Sequence, residues 1–474
     1  MSERPQAVIS YAWKREWEQM TVRSRAAAVS DSVRTQLWPA PTAGILLALL
    51  AGVLLPRLDL TVDDLLPGGI TELLFGGGAA AARSVLEAVA GSLITVTSLT
   101  FSLTVVTLQL ASGQFSPRLL RTFARDRFVH LTLALFLATF VYALTVLRTV
   151  RSPAEQQDQF VPQISMTIAF LLAVASVLAL VLFLAHLARE IRVETMLQSV
   201  HKDATATVAR LLSAKPSADD SGADSATPAV PIPPADATLI LAEDSGFFTA
   251  VDQVGLCQAA SESNVVVLVD RLAGAFVVAG TPVGRYWPRS DSSGPDGSEA
   301  IEAAIRSVFT ISMERDDTQD YSFGLRQLTD VTTKALSPGV NDPTTAVHSL
   351  GHTSALMCEI ARQDLRDLVR CDDDGQLRVV CRRPSFAQML DEVVCQPRRY
   401  GAADPAVISR LLELLKEVGW SVRAADQRAA VDAQLTRVLA TMQAQDFDET
   451  ERVELNSIAR DAQDALRGQW TIDR

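Results

Sequence analysis

The sequence has few cysteines, and it lacks the spacings with which cysteines bind a metal. All five lie in the C-terminal half, and no two stand in a CxxC pattern. They are Cys257, Cys358, Cys371, Cys381 and Cys395. An odd number of scattered cysteines is typical of reduced thiols in an intracellular region, whereas structural zinc sites need closely spaced pairs. We therefore predict no metal site and no cofactor.

The sequence also lacks an excess of basic residues. It has 43 Lys and Arg against 55 Asp and Glu, which gives a net charge of −12 over 474 residues. A nucleic-acid partner is excluded because such binding needs clustered positive charge. The chain has no GxxxxGK or GxGxxG loop and no nucleophile–base pair, so the sequence offers no candidate catalytic residue and does not indicate an enzyme.

The first half of the chain is rich in long apolar runs. Four of them cover residues 41–55, 88–117, 128–147 and 164–188. A helix needs about 20 residues to cross a bilayer, so the last three qualify and the first is short. Arginines are concentrated in the arm at 1–37, in the second loop and just after the fourth run, and such loops stay in the cytoplasm. We predict four spans within 38–190 and both termini in the cytoplasm.

The second apolar run is unusual because it carries many hydroxyl groups but no charge between residues 88 and 117. On a helix these groups sort into two arcs. The threonine arc comprises Thr97, Thr100, Thr104 and Thr107, and Gln114 continues it. The serine arc, on a different side, comprises Thr95, Ser98, Ser102 and Gln109.

Two interpretations of the threonine arc remain open. Small hydroxyl side chains let helices approach each other, and they can bond back to their own backbone. Alternatively, one arc lines a water-filled path, because walls with hydroxyls and without charge suit ions or small polar solutes that pass without tight binding. Two separate arcs favour the inner helix of a homo-oligomer. Residues Thr100 and Thr104 are therefore candidates either for helix packing or for lining a pore.

The second span is followed by a basic segment. Gly113 can end the helix, and Ser116 and Pro117 can start the next one. Arg118, Arg121 and Arg125 would then lie on one face of a helix at the membrane interface. Ordinary flanking charge on the cytoplasmic side explains the same residues equally well.

The second half of the chain has the composition of water-exposed domains. Residues 191–236 contain a helix extension and a Ser-, Ala- and Pro-rich flexible linker. Residues 237–290 have short β-branched runs typical of a small β-barrel or sandwich. Residues 298–474 carry helical apolar spacing. The predicted fold class is an α-helical integral membrane protein with a cytoplasmic α+β region.

The densest group of polar residues opens the predicted helical domain. It comprises Arg315, Asp320, Arg326, Asp330, Ser337, Asn341, Asp342 and Thr344. Asp342 can cap a helix that starts at Pro343, so the segment "SPGVNDP" is explained as a corner between two helices. The alternative is a helix N-terminus that binds an anion or a partner. His348 and His352 share a helix face without an HExxH motif, so we predict no metal there.

Several long motifs resemble those of one known family. They are "SLITVTSLTFSLTVVTLQLASGQFSPRLLRTF" in the membrane half, and "SGFFTAVD", "GAFVVAGTPV" and "ERDDTQDYSFGLRQLTDVTTKALSPGVNDPTTA" in the second half. In these motifs the chain is similar to a family of uncharacterised bacterial predicted membrane proteins, domain of unknown function 2254. The resemblance covers nearly the whole chain and implies a plasma-membrane location, but no activity. His348 has no counterpart in the family pattern.

The sequence supports three functional hypotheses. The first is an oligomeric channel or passive transport protein, in which the threonine arc lines the path and the cytoplasmic region assembles or gates it. The second is a membrane scaffold or sensor that binds a ligand or partner at the 337–343 corner. The third, an enzyme, has the least support. The expected partners are the lipid bilayer, further copies of the chain, and an ion or small polar solute.

Overall fold

The computed structural model describes residues 38–62, 77–114, 126–151, 160–190, 192–212, 230–289 and 298–470. The predicted N-terminal arm and most of the predicted linker lie outside these residues. The chain divides into two compact units, Met1–Arg192 and Val193–Arg474, which are called the N-terminal unit and the C-terminal unit.

The N-terminal unit contains the four expected apolar helices. They are α1 (Pro39–Val62), α2 (Ala79–Gln114), α3 (Arg127–Leu147) and α4 (Gln163–Glu190). Each includes at least 21 residues of a composition that can cross a membrane, including the short first run, where the stretch is Pro39–Asp59. Four apolar helices of sufficient length are therefore confirmed.

Helix α3 is the centre of this unit, because it packs against α1, α2 and α4. Glycines allow α1 to approach it closely. A Cβ atom at Gly52 would lie only 2.7 Å from the Cβ of Thr145, and one at Gly44 would lie 3.0 Å from the carbonyl oxygen of Ala134. Small residues at such spacing are typical of helix pairs in membranes, where close van der Waals contact stabilises the association.

A buried carboxylate joins α1 to the start of α4. Asp59 is 1% exposed and accepts hydrogen bonds from the backbone N–H groups of Ile164 (2.9 Å) and Ser165 (3.1 Å), and from the hydroxyl of Ser165 (2.6 Å). The Tyr142 hydroxyl donates to the carbonyl oxygen of Ser165 at 3.1 Å. Asp59 thus satisfies N–H groups that the first turn of a helix leaves without partners.

The C-terminal unit combines β-sheets with helices. Its strands are β1 (Thr238–Leu241), β2 (Gly246–Val251), β3 (Val265–Val269), β4 (Phe276–Val277), β5 (Pro282–Pro288), β6 (Phe309–Ser312), β7 (Leu368–Cys371) and β8 (Leu377–Cys381). Its helices are α5 (Val193–Leu212), α6 (Gln253–Glu262), α7 (Ser298–Ser307), α8 (Phe323–Ala335), α9 (Pro343–Ala361), α10 (Phe386–Tyr400), α11 (Pro405–Ser421), α12 (Ala425–Gln443) and α13 (Glu449–Leu466).

The described strands form two sheets, in the orders β1-β5-β3-β8-β7 and β4-β2-β6. Strands β3 and β8 pair in parallel, and every other pairing is antiparallel. All five residues of β3 are buried, as expected for a strand covered on both faces. Residues from both sheets, such as Phe248 and Val267, enter one apolar core. A closed barrel is not formed by these pairings, because β1 and β7 stand at opposite ends of their sheet.

The sheets extend beyond the region for which the sequence predicted β-structure. Strands β6, β7 and β8 belong to residues 298–474, for which the sequence predicted a helical domain. They are four or five residues long and lie between long helices, so their local pattern is weak. Val379 and Val380 of β8 become fully buried because β8 pairs with β3, which is distant in sequence.

Candidate functional site

The threonine arc is buried within the chain. Thr97, Thr100, Thr104 and Thr107 are at most 9% exposed. They continue, at alternating intervals of three and four residues, a buried apolar row that runs through Ala82, Leu86, Ala90 and Leu93. Such spacing is typical of a helix-packing seam.

Three of the four hydroxyls of this arc are satisfied locally, whereas the buried hydroxyl of Thr100 has no partner among the described residues. Thr97 donates to the carbonyl oxygen of Leu93 at 2.7 Å, and Thr104 donates to that of Thr100 at 2.8 Å. Thr107 does the same toward Leu103 at 2.9 Å. Bonds to the carbonyl four residues earlier keep a hydroxyl satisfied at an apolar contact. Burial in the single chain therefore favours helix packing for the threonine arc over the lining of a pore.

The serine arc has the opposite environment. Thr95, Ser98, Ser102 and Gln109 are all exposed in the single chain. Ser84, Ala88 and Gly91 extend the same row toward the start of α2, and they are exposed as well. Apart from the two neighbouring residues and the backbone of α2 itself, no atom of the described chain lies within 4 Å of a Cβ built on Gly91. One face of α2 thus carries a row of small and polar side chains, interrupted by the apolar Val105, that nothing in the described chain covers.

The predicted membrane-interface group follows α2 in the sequence. Arg118, Arg121 and Arg125 lie outside the described residues. Gln114 is the last residue of α2, and its side chain also lies outside the described residues.

The polar cluster of the C-terminal unit separates into a buried ion-pair network and a helix corner. In the network, Arg315 Nε donates to Asp320 Oδ2 at 2.6 Å, and Arg315 Nη2 donates to the Ser322 hydroxyl at 3.3 Å. Asp320 Oδ1 accepts from the backbone N–H (3.0 Å) and the hydroxyl (2.7 Å) of Ser322. Burial raises the pKa of Asp320, and the Arg315 guanidinium opposes this effect.

A glycine makes room for this ion pair. Gly274 has a φ of +84°, and a Cβ at this position would collide with the Asp320 carboxylate and the Arg315 guanidinium. The residue therefore needs both the left-handed conformation and the absence of a side chain.

Arg326 and Asp330 form a second part of the network, and Glu392 completes it. Arg326 Nε lies 3.2 Å from Asp330 Oδ1, and Arg326 Nη1 donates to Glu392 Oε1 at 3.3 Å. Burial raises the pKa of Glu392, while the charges of Arg315 and Arg326 lower it. Sequence reasoning missed Glu392, since it lies on α10, 66 residues after Arg326.

The segment from Ser337 to Thr344 forms the corner between α8 and α9. Asn341 adopts a φ of +49°. Asp342 accepts from the backbone N–H of Thr345 (3.1 Å) and from its hydroxyl (2.6 Å), and these bonds lower the pKa of Asp342. The carboxylate that caps α9 comes from the chain itself, which favours the corner interpretation over an anion site. Thr344 is exposed, and Ser337 donates to the Lys334 carbonyl oxygen at 2.7 Å.

Three histidines of the C-terminal unit gather where α5 packs on α9. The rings of His201 and His352 lie 5.2 Å apart, and His348 Nδ1 lies 4.0 Å from Glu194 Oε1. Within the described ranges, no three His, Cys, Asp or Glu side chains are placed to hold a metal ion. Burial lowers the pKa of His352 from its ordinary value of 6.5, and the charges of His201 and His348 lower it further.

Acidification is expected to destabilise the C-terminal unit through His352. Its pKa is lower in the folded chain than in the unfolded chain, so the unfolded chain binds the proton more readily. The stabilisation is complete above pH ~6.5 and is lost as the pH falls toward the folded pKa. Thermal unfolding of the full chain between pH ~7.5 and ~5 should show this decline, and His352→Gln should reduce it. A decline of equal size in the variant would contradict the assignment.

The four apolar helices of the N-terminal unit define the class: the protein is a membrane protein with a separate α+β unit. The chain belongs to the family described as predicted membrane protein, domain of unknown function 2254, whose model matches residues 34–417.

Its relatives share the family's uncharacterised status. Uncharacterized proteins of Mycobacterium bovis and Mycobacterium tuberculosis are each 36% identical over 451 residues, which is 95% of this chain and 84% of the relative. No solved structure matches the chain. The family confirms a membrane protein but assigns it no activity.

Proposed function

We propose that the protein is an oligomeric channel or passive transport protein for ions or small polar solutes, in which the serine arc lines the path. It would lie in the bacterial plasma membrane with both termini in the cytoplasm, and the C-terminal unit would assemble or gate the oligomer. The exposure of the serine arc on α2 is the single observation that carries this proposal.

The other spans show why this exposure is unusual. Away from the helix ends, the exposed side chains of α1, α3 and α4 are apolar within the described residues, as a lipid-facing surface requires. Examples are Leu47 of α1, and Val177 and Leu178 of α4. Helix α2 alone exposes polar side chains along its length. Polar groups in a membrane usually face protein or a water-filled cavity, because lipid offers them no hydrogen bonds.

If several copies of α2 are arranged around an axis, the polar side chains of the serine arc no longer face lipid. From Ser84 to Ser102 the row alternates intervals of four and three residues, and Val105 occupies the next position before Gln109, so neighbouring copies can pack along it. The whole row spans 25 residue steps, or about 37 Å at the rise of an α-helix, which exceeds the ~30 Å hydrocarbon core. The resulting wall would carry hydroxyls and no charge between residues 88 and 109. Such a wall suits solutes that pass without tight binding.

The two arcs provide a matched test. Purified protein is reconstituted in liposomes, and ion flux is measured under voltage, membrane tension and pH gradients. We expect Ser98→Val with Ser102→Val to change conductance or ion selectivity several-fold, because these hydroxyls would face the path. Thr100→Val with Thr104→Val removes the same number of hydroxyls from the buried arc, and it should leave conductance unchanged while altering only stability.

Two outcomes would contradict the proposal. One is an equal effect of both double variants on conductance and ion selectivity, which would mean that the path does not run along the serine arc in particular. The other is the absence of flux from wild-type liposomes under all three conditions. If the wild type shows no flux but Ser98→Cys cross-links between copies, the serine arc is a contact between copies without a water-filled path. The protein is then a scaffold.

A further inference from the structure

A cavity in the C-terminal unit lies at the edge of the five-stranded sheet where its two parallel strands end. Val269 of β3 and Cys381 of β8 are partners in the register, so both strands finish at the same edge. Asp270 and Arg382, which directly follow these residues, both line the cavity. Ligands of open α/β sheets bind in the crevice outside the carboxyl ends of parallel strands.

The cavity has the size of a metabolite site. Its volume is about 800 Å³, within the range of about 300–1,000 Å³ that is common for small-molecule sites. An apolar part of the wall is formed by Val230, Leu272, Leu365 and Val369. The remainder is polar and contains three arginines, Arg366, Arg382 and Arg383. This combination suits a ligand with an anionic group and a less polar body.

The carboxylates of the cavity are already paired. Asp270 Oδ2 accepts from Arg285 Nε at 2.8 Å. Asp367 accepts from Arg382 Nη1 at 3.1 Å and from the backbone N–H of Arg383 at 3.1 Å. Neither acid is therefore free to neutralise a further cation.

Arg383 differs from the other two arginines of the wall. Among the residues that the structure describes, its guanidinium donates only to main-chain carbonyl oxygens, those of Asp364 at 3.5 Å and Leu211 at 3.4 Å. No carboxylate of the described chain lies within ion-pair distance of it, whereas Arg366 pairs with Asp364 and Arg382 with Asp367. A guanidinium with two long, weak hydrogen bonds retains donors for a bidentate contact with an oxyanion.

The first turn of α10 adds to the positive potential. Ser385 and Gln388 line the cavity and form the reciprocal cap of this 15-residue helix. The N-terminus of a helix carries a partial positive charge that favours anions. Three features therefore coincide: a crevice at parallel strand ends, an arginine that pairs with no carboxylate of the described ranges, and a helix N-terminus.

We propose that this cavity binds a small organic phosphate, with the phosphate at Arg383 and the organic body against the wall formed by Leu272, Leu365 and Val369. The site is independent of the path proposed for α2. It would make the C-terminal unit a sensor of a phosphorylated metabolite.

Calorimetry on the full chain in non-ionic detergent tests the proposal, with adenosine monophosphate and inorganic phosphate as the probes. We expect adenosine monophosphate to bind more tightly than inorganic phosphate, because only the nucleotide reaches the apolar wall. Arg383→Gln should weaken the binding of both probes about tenfold or more, the loss of one charge-assisted contact. Arg428→Gln, which changes an exposed arginine on α12, is the matched control and should bind like the wild type.

A second variant tests the proposal independently, in case Arg383→Gln does not fold. Leu272→Trp fills the cavity without altering its charge, so it should abolish nucleotide binding and retain that of inorganic phosphate. Thermal unfolding of each variant identifies loss of structure. The proposal is overturned if wild-type protein binds neither probe, if a folded Arg383→Gln variant binds both as tightly as the wild type, or if Leu272→Trp leaves nucleotide binding unchanged.

Discussion

Replacing Asp320 with alanine is expected to lower the free energy of unfolding of the chain by about 3 kcal/mol. The side chain is 2% exposed, and the variant would leave Arg315 largely buried without its counter-ion. It would also remove the acceptor for the backbone N–H and the hydroxyl of Ser322. Removing one partner of a buried pair is costly because the remaining charge has been taken out of water and loses the attraction that offset this desolvation.

Urea denaturation of the full chain in non-ionic detergent, followed by circular dichroism, measures this effect. Asp373→Ala removes an exposed carboxylate of the same unit and should change the midpoint little. Replacing both partners, Arg315→Met with Asp320→Leu, should recover part of the loss, since no charge is then left unpaired. If Asp320→Ala and Asp373→Ala have the same urea midpoint, the ion pair contributes nothing to the free energy of unfolding.

The sequence pattern predicted the apolar helices and the helical spacing after residue 298, because each depends on residues close together in the chain. It could not predict that β8 pairs with β3. The two strands are separated by more than 100 residues, and the residue pattern of a strand does not indicate which other strand it pairs with. Helical periodicity separated the threonine and serine arcs. It could not show which of them is buried, because small hydroxyl residues suit both a face that packs against another helix and a face that lines a water-filled path.

The same limit applies to the polar network. Arg326 and Asp330 are four residues apart on one helix, a spacing at which opposite charges pair, so their contact has a local signal in the sequence. Glu392 was not predicted, because only the packing of α8 against α10 brings it to Arg326. The arginines around the cavity gave no local signal either. Arg366 and Arg383 meet at one wall because β7 and β8 pair antiparallel with Leu368 opposite Cys381, and Asp270 joins them through the parallel pairing of β8 with β3.

Replacing Asp59 with alanine is expected to have a comparably large effect on the N-terminal unit, a loss of about 3 kcal/mol. Three hydrogen bonds converge on this carboxylate from Ile164 and Ser165 at the start of α4. Without it, two backbone N–H groups and one hydroxyl would be left without this acceptor at a buried position. Asp59 also places a negative charge at a helix N-terminus, which the macrodipole favours.

Unfolding of the full chain in mixed detergent micelles, followed by circular dichroism, separates these contributions. Asp59→Asn keeps one carbonyl oxygen as an acceptor but removes the charge, so it should lose about half as much stability as Asp59→Ala. Glu87→Ala removes an exposed carboxylate from α2 and serves as the control. If all three variants have the same unfolding midpoint as the wild type, Asp59 does not join α1 to α4 energetically. The packing of α1 against α3 and α4, including the close approach at Gly44 and Gly52, would then hold α1 in place.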